Sequence, residues 1–517
     1  MRARPAMAAD PRASTIRFLL DGEVRTLEGI APTRTVLQVL REDLGRTGSK
    51  EGCAEGDCGA CAVVLAERHA GGVRYRAMNS CIQFAPTLDG KALITVESLR
   101  GPDGSLHPVQ QALADGHATQ CGFCTPGFVM SLFALYKTQS APSRQVINDA
   151  LSGNLCRCTG YRPIIDAARA MYALGAAIPE AKLDWMSAPA GSHAETARRS
   201  EAGLAARLAA LERAEDLTLA HASGAFHAPR SLAAFAALRE RMPAARILAG
   251  GTDLGAWVTK QYRELGDLLY IGNVAELKRV AVTPTHVEIG AAVTLADAHP
   301  VLAECYPELE TLFRRFASPP IRSAATLAGN IANASPVGDS MPALIAIGAT
   351  VVLRKGAGAR ELPLEALYCA YRETAMEAGE FVAQVRVPLP AKGGVFRTWK
   401  VSKRFDQDIS SVCGAFLLLI EGARIAGARV AFGGMAATPR RAAACETALA
   451  GREWSEATLD AAVAALATDY TPIDDLRGSA DYRMKVARNL LRRLWLETGP
   501  GGSAVATRLD ALGSVSA

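Results

Sequence analysis

Eight of the twelve cysteines in this 517-residue chain lie between positions 53 and 158, and they form two sets. In the stretch EGCAEGDCGAC, Cys53, Cys58 and Cys61 are spaced C-x4-C-x2-C, and Cys81 follows in the next segment. Thiolates bind soft metals, and this is the ligand spacing of a plant-type [2Fe–2S] cluster; structural zinc favours C-x2-C pairs. Cluster sulfides need backbone N–H donors nearby, and Gly52, Gly56 and Gly59 let the chain approach without a clashing Cβ. The second set pairs Cys121-Gly-Phe-Cys124 with Cys156-Arg-Cys158. The pairs run on as Cys124-Thr-Pro-Gly and Cys158-Thr-Gly-Tyr-Arg-Pro, so Thr125 and Thr159 are expected as N-caps and Pro126 as a first helical residue. Two helix starts aimed at one centre would stabilise an anionic site built from four thiolates. This spacing also fits zinc. A neighbouring cluster favours iron, because adjacent clusters make an electron relay.

These cysteines need a reducing compartment. The start, MRARPAMAADPRAS, lacks the apolar core of a signal peptide, and the apolar run 341–353 is too short to span a bilayer. Residues 116–136 lack Asp, Glu, Lys and Arg but include Gln120, Pro126 and two cysteines, which argues against a membrane helix. The expectation is a cytoplasmic protein. A net charge of +5 gives no reason to invoke nucleic acid or an anionic membrane. The scattered Cys305, Cys369, Cys413 and Cys445 are expected to be small buried apolar side chains.

The surrounding elements must position the thiols. Residues 15–27, TIRFLLDGEVRTL, read as a hairpin around Asp21-Gly22. In 33–44, Val36, Leu37, Leu40 and Leu44 share a helical face. Two strands around Gly71-Gly72 and one in KALITVES complete a small α+β domain, 13–100. Four segments of helical periodicity follow in a domain at 101–175, and an Ala-, Arg- and Glu-rich linker spans 176–218. Mixed strands and helices fill 219–393. Strands and then helices fill 394–502, a C-terminal α+β domain.

A second chemistry lies in RILAGGTDLG (246–255), a strand running into a glycine turn whose N–H groups can cradle phosphate. ATLAGNIANASPVGD (325–339) suits close backbone approach to a ligand. The chain has no G-x-G-x-x-G, P-loop lysine or G-x-S-x-G motif, so a dinucleotide here would not sit on a Rossmann fingerprint.

CAEGDCGAC, TQCGFCTPGF and NLCRCTGYRPI, in this order, resemble the iron–sulfur segment of the molybdenum hydroxylases. The resemblance covers roughly residues 15–500. It implies a multidomain α+β protein: a β-grasp ferredoxin-like domain, a four-helix [2Fe–2S] domain, a vanillyl-alcohol-oxidase-type FAD domain and a C-terminal α+β domain. It assigns one cluster to Cys53, Cys58, Cys61 and Cys81 and a second to Cys121, Cys124, Cys156 and Cys158, with Gln120 and Cys158 toward a molybdopterin. Carried over for FAD, Leu248, Ala249, Gly250, Gly251, Thr252, Asp253 and Leu254 line the pyrophosphate. Thr326, Gly329, Asn330 and Asp339 continue the site, Phe316 stacks near the isoalloxazine, and Lys400 lies close to FAD. Without the resemblance, Lys400 reads as a solvated strand residue.

Within the family, two iron–sulfur domains and an FAD domain with no molybdopterin domain after them resemble the small subunit of bacterial xanthine dehydrogenases, as do KRFDQDIS and ARVAFGGMAATPRRA. The implied partners are NAD+ and a large molybdopterin-binding subunit in a dimer of heterodimers; no side chain of this chain acts as acid or base on the purine. The alternatives are another molybdenum hydroxylase, for aldehydes or N-heterocycles, and a cluster-based redox sensor. A sensor needs an output domain, and none is recognisable.

Overall fold

The computed structural model describes residues 15–101 and 103–500; the start read for a signal peptide and the outermost residues of the first and last expected domains lie outside them. The described residues form two compact units, one running to residue 275 with 317–325, the other of 276–316 with the residues from 326 onward. The chain is multidomain α+β, of mixed sheets and helices.

The first unit begins with a five-stranded mixed sheet in the order Glu23–Glu28, Thr15–Leu20, Ala92–Ile94, Ala62–His69, Gly72–Asn79. Asp21 and Gly22 both have positive φ, as a tight two-residue hairpin turn requires. Thr35 caps Val36–Gln38 in a reciprocal capping box, and a π-helical turn, Val39–Asp43, continues it. Val36, Leu37, Val39 and Leu40 are buried there; Leu44 is only partly buried.

Four helices follow: Pro108–Asp115, Thr125–Thr138, Arg144–Leu151 and Arg162–Ala176. Phe128, Leu132, Phe133 and Tyr136 of the second are fully buried in a core shared with Val64 and Ala66 of the sheet. Residues 176–218 include the helix Glu195–Leu211. Its Leu204, Leu208 and Leu211 form a stripe in the same core, which its Ala- and Arg-rich composition obscures. Arg213 clasps Asp89 through a 2.7 Å ion pair, tying the end of that segment to the sheet. A four-stranded sheet, in the order Leu217–His221, Gly224–Ala228, Leu268–Tyr270, Arg246–Leu248, completes the unit.

The second unit has an antiparallel five-stranded sheet in the order Val280–Val282, His286–Gly290, Phe381–Pro388, Thr350–Lys355, Gly358–Pro363. A second sheet joins Gly394–Val401, Val412–Glu421, Arg424–Gly433 and Arg440–Arg441, followed by helices Ala443–Leu449, Glu456–Asp469 and Ala480–Thr498. The apolar run 341–353 is divided between the helix Ser340–Ala346 and the strand Thr350–Lys355. No helix among the described residues is long and apolar enough to cross a membrane. Of the scattered cysteines, Cys413 and Cys445 are buried and Cys305 is half-buried. Cys369 is exposed, contrary to expectation, because it lies on the outer, two-stranded ribbon Tyr368–Ala370 with Glu373–Thr374.

Candidate cofactor sites

The first cysteine set is gathered by the turn after Lys50 and by the end of the hairpin at Asn79. Cys61 precedes one strand and Cys81 follows its partner, which brings two distant positions side by side. Both thiols are buried, while Cys53 and Cys58 are half-buried. The backbone N–H groups of Glu55, Asp57 and Cys58 point at Cys53 Sγ from 3.5, 3.3 and 3.3 Å. Asn79 Nδ2 donates to Gly56 O at 2.7 Å, and Ser80 Oγ to Cys61 O at 2.6 Å, fixing the loop from within. A Cβ on Gly52 would lie 2.7 Å from Cys58 Sγ. Hydrogen bonds from Cys58 and then Cys81 pull the Cys53 thiol well below its ordinary range, while contact with Cys53 pushes Cys58 and Cys81 up. Cys81 in turn lowers Cys61. Sulfurs this close hold negative charge in common, and a cationic iron centre matches that donor set.

In the second set, Cys121 and Cys158 are exposed, with their sulfurs 3.6 Å apart. The Phe123 backbone and then Cys158 lower Cys121, and Cys121 raises Cys158. Burial and then Cys156 push Cys124 up to about 12. Burial raises Cys156, but hydrogen bonding from Thr159 and neighbouring groups outweighs it and lowers the thiol overall. The expected caps are shifted. Cys124 itself is the N-cap of Thr125–Thr138, so Thr125 is already helical. Tyr161, at φ 69°, caps Arg162–Ala176, and Thr159 instead accepts from the Tyr161 N–H at 3.2 Å. Both cysteine pairs still precede helix starts, because the chain must turn before each Pro-containing first turn. All twelve cysteines are free, and among the described residues no group of three His, Cys, Asp or Glu side chains is placed to hold a single metal ion. Paired thiols with backbone and hydroxyl donors at sulfur fit two-iron clusters, which take four cysteines each.

The flavin-binding candidates are divided between the units. In the first, the strand Arg246–Leu248 ends at Gly250-Gly251, and Gly251, at φ 72°, is the left-handed N-cap of Thr252–Thr259. A Cβ on Gly250 would lie 1.9 Å from Ala324 O, so only glycine lets these backbones meet. In the second unit, Thr326 Oγ1 caps Leu327–Ala332 by accepting from Gly329 N at 2.9 Å. Asn330 Oδ1 is buried without a partner among the described residues, the condition of an acceptor that a ligand donor can satisfy. Phe316 lies edge-on to His299, with ring centroids 5.8 Å apart.

Lys400 is not a solvated strand residue. It is buried, with Nζ 2.5 Å from Asp339 Oδ2, and Ser410 Oγ donates to Asp339 Oδ1 at 2.5 Å. Arg315 braces the backbone beside it, donating to Lys400 O at 2.9 Å and Phe405 O at 3.1 Å. Sequence reasoning missed Asn79, Tyr161, Arg315 and Ser410. Each acts through a contact distant in sequence or through an unusual φ that its residue type does not signal.

Four family models match in chain order: a 2Fe-2S iron-sulfur cluster binding domain over 18–83, a [2Fe-2S] binding domain over 95–169, an FAD binding domain in molybdopterin dehydrogenase over 221–390, and a CO dehydrogenase flavoprotein C-terminal domain over 397–498. A xanthine dehydrogenase of Emericella nidulans is 32% identical, aligned over 93% of this chain and 38% of its own length. A nicotinate hydroxylase of the same organism is 29% identical over 94% of this chain and 41% of its own length. The chain therefore spans about two fifths of these curated relatives. A solved carbon monoxide dehydrogenase from Oligotropha carboxidovorans is 30% identical, with a TM-score of 0.49, covering 52% of this chain and 94% of that one. With both iron–sulfur domains and the FAD domain matched in order, the chain belongs to the molybdenum hydroxylase family and is its iron–sulfur and flavin electron-transfer module.

Proposed function

We propose that this chain is the electron-transfer subunit of a xanthine dehydrogenase. It would receive electrons from a molybdopterin centre on a large partner subunit and pass them to NAD+ during oxidation of hypoxanthine and xanthine to urate. The observation that carries the reading is the gathering of eight cysteines into two groups of four, one with no exposed thiol and one with Cys121 and Cys158 exposed. When bound, the clusters supply one-electron steps, and FAD joins these to two-electron hydride transfer. Cys121, Cys124, Cys156 and Cys158 would hold the receiving cluster, and Cys53, Cys58, Cys61 and Cys81 the inner one. Gln120 and Cys158 would face the pterin. Phe123 and Leu155, 47% and 60% exposed beside that set, offer apolar surface for the partner.

Leu248–Leu254 would cradle the pyrophosphate, while Thr326, Gly329, Asn330 and Asp339 hold the rest of FAD. Lys400 would place a cation near reduced, anionic flavin. The assembly is taken as a cytoplasmic dimer of heterodimers. The xanthine dehydrogenase among the relatives supports the purine substrate, and the nicotinate hydroxylase supports a second reading, hydroxylation of another N-heterocycle.

The test is steady-state kinetics. The full chain alone should oxidise NADH with an artificial dye and leave xanthine untouched; joined to its partner it should reduce NAD+ with xanthine. Dye reduction without xanthine turnover by the complex, but with nicotinate turnover, would favour the second reading. No NADH–dye activity in flavin-replete protein would overturn the proposed exit through NAD+.

A further inference from the structure

The helix Thr252–Thr259 runs from the glycine turn directly onto the first cysteine loop. Gly255 is pressed against Ile82, next to Cys81: a Cβ there would lie 2.3 Å from Ile82 O. At the helix end, Thr259 Oγ1 donates to Ala54 O at 2.5 Å, and Lys260 Nζ donates to Cys53 O at 3.1 Å. Ala54 itself has φ 57°, a conformation non-glycine residues rarely adopt. Outside contacts must hold it there. The same short turn aims the N–H groups of Glu55, Asp57 and Cys58 at Cys53 Sγ.

We propose that Thr259 and Lys260 are positioning residues that set the reduction potential of the centre held by Cys53, Cys58, Cys61 and Cys81. This rests on the assignment of those cysteines as cluster ligands. Thr259 locks the strained turn, and so fixes the N–H groups that stabilise charge on Cys53. Lys260 places an ammonium on the carbonyl of a ligand residue, where positive charge favours the more negative, reduced state. The Glu55 carboxylate, 3.9 Å from Lys260, offsets part of that charge, and the pair is half-exposed, so solvent screens it further. One electron enters the centre and one leaves; neither residue gains or loses a proton.

The test is a redox titration of the full chain, followed by electron paramagnetic resonance, with circular dichroism as a check on folding. Wild type should give two distinct [2Fe–2S] signals; their absence would overturn the cluster assignment itself. Lys260→Met should lower the midpoint potential of one signal by about 59 mV, a tenfold change in a one-electron equilibrium, and leave the other in place. Lys260→Arg should keep the wild-type potential. Thr259→Val should broaden and shift the same signal, and Thr259→Ser should restore it. Two wild-type signals with unchanged potentials in Lys260→Met, or equal shifts in the Met and Arg variants, would overturn the role of Lys260. An unaltered signal in Thr259→Val would overturn that of Thr259.

Discussion

The two cysteine sets hold the same number of thiols, but only the second has thiols open to solvent. In the first, Cys61 and Cys81 are 1% and 2% exposed and Cys53 and Cys58 half-buried, with a helix of the flavin region resting on its loop. The second lies at two helix starts, with Cys156 buried and Cys124 half-buried but Cys121 and Cys158 exposed beside Phe123 and Leu155. The backbones between them touch: Leu155 N donates to Cys58 O at 2.9 Å, and Asn154 Nδ2 reaches Gly59 O at 3.4 Å. The first set is served by the chain's own neighbours, whereas the second leaves two of its thiols open to solvent.

Ligand loss tests that difference most strongly. Cys61→Ser and Cys158→Ser should each remove half of the iron and one resonance signal. Cys61→Ser should also lower the unfolding temperature, because an unpaired hydroxyl replaces a buried ligand. Cys158→Ser should leave unfolding nearly unchanged; on the proposed function it should also spare NADH–dye activity while abolishing xanthine-to-NAD+ transfer. Equal destabilisation by both, in iron analysis and thermal melts, would break the comparison. Next is the contact between the sets. A Cβ on Gly127 would lie 2.1 Å from Gly59 O, so Gly127→Val should cost about 3 kcal/mol in denaturant unfolding. Gly160, at φ 68° with nothing near a Cβ, should cost only about 1 kcal/mol as Gly160→Ala.

Acid should separate the regions by a similar amount. His107 caps Pro108–Asp115 by accepting from Val109 N at 3.2 Å, and its Nε2 lies 3.1 Å from Met186 O, so the neutral ring with Nε2–H fits. Burial lowers its pKa to about 4; Met186 O opposes this, Lys137 adds to the lowering, and Asp184 opposes it least. The unfolded chain binds this proton below about 6.5 and the folded chain only below about 4. Stability is therefore lost as pH falls between these values, by about 3 kcal/mol in all. His107→Gln should flatten that slope, as read by denaturant titration at each pH. The smallest effect is local. Tyr161 Oη accepts from Cys156 N at 2.9 Å, and Tyr161→Phe should cost about 1 kcal/mol and perturb only the second signal.

The sequence by itself marked out the two cysteine sets, because metal chemistry constrains both residue type and spacing. It also determined the hairpin at Asp21-Gly22, the four helices after residue 107, and the strand-to-glycine turn at 246–251, since turn residues and periodicity are local signals. Local pattern was insufficient for the exact caps. Cys124 and Tyr161 take those places because the cysteine turns dictate where helical φ begins. Only the tertiary structure decided which set has exposed thiols and that Lys400 is buried against Asp339. It also decided that Thr259 and Lys260 reach a loop some two hundred residues earlier. Burial and ion pairing depend on what other segments bring to a position, and a strand lysine has the same sequence signature in water as beside a buried carboxylate.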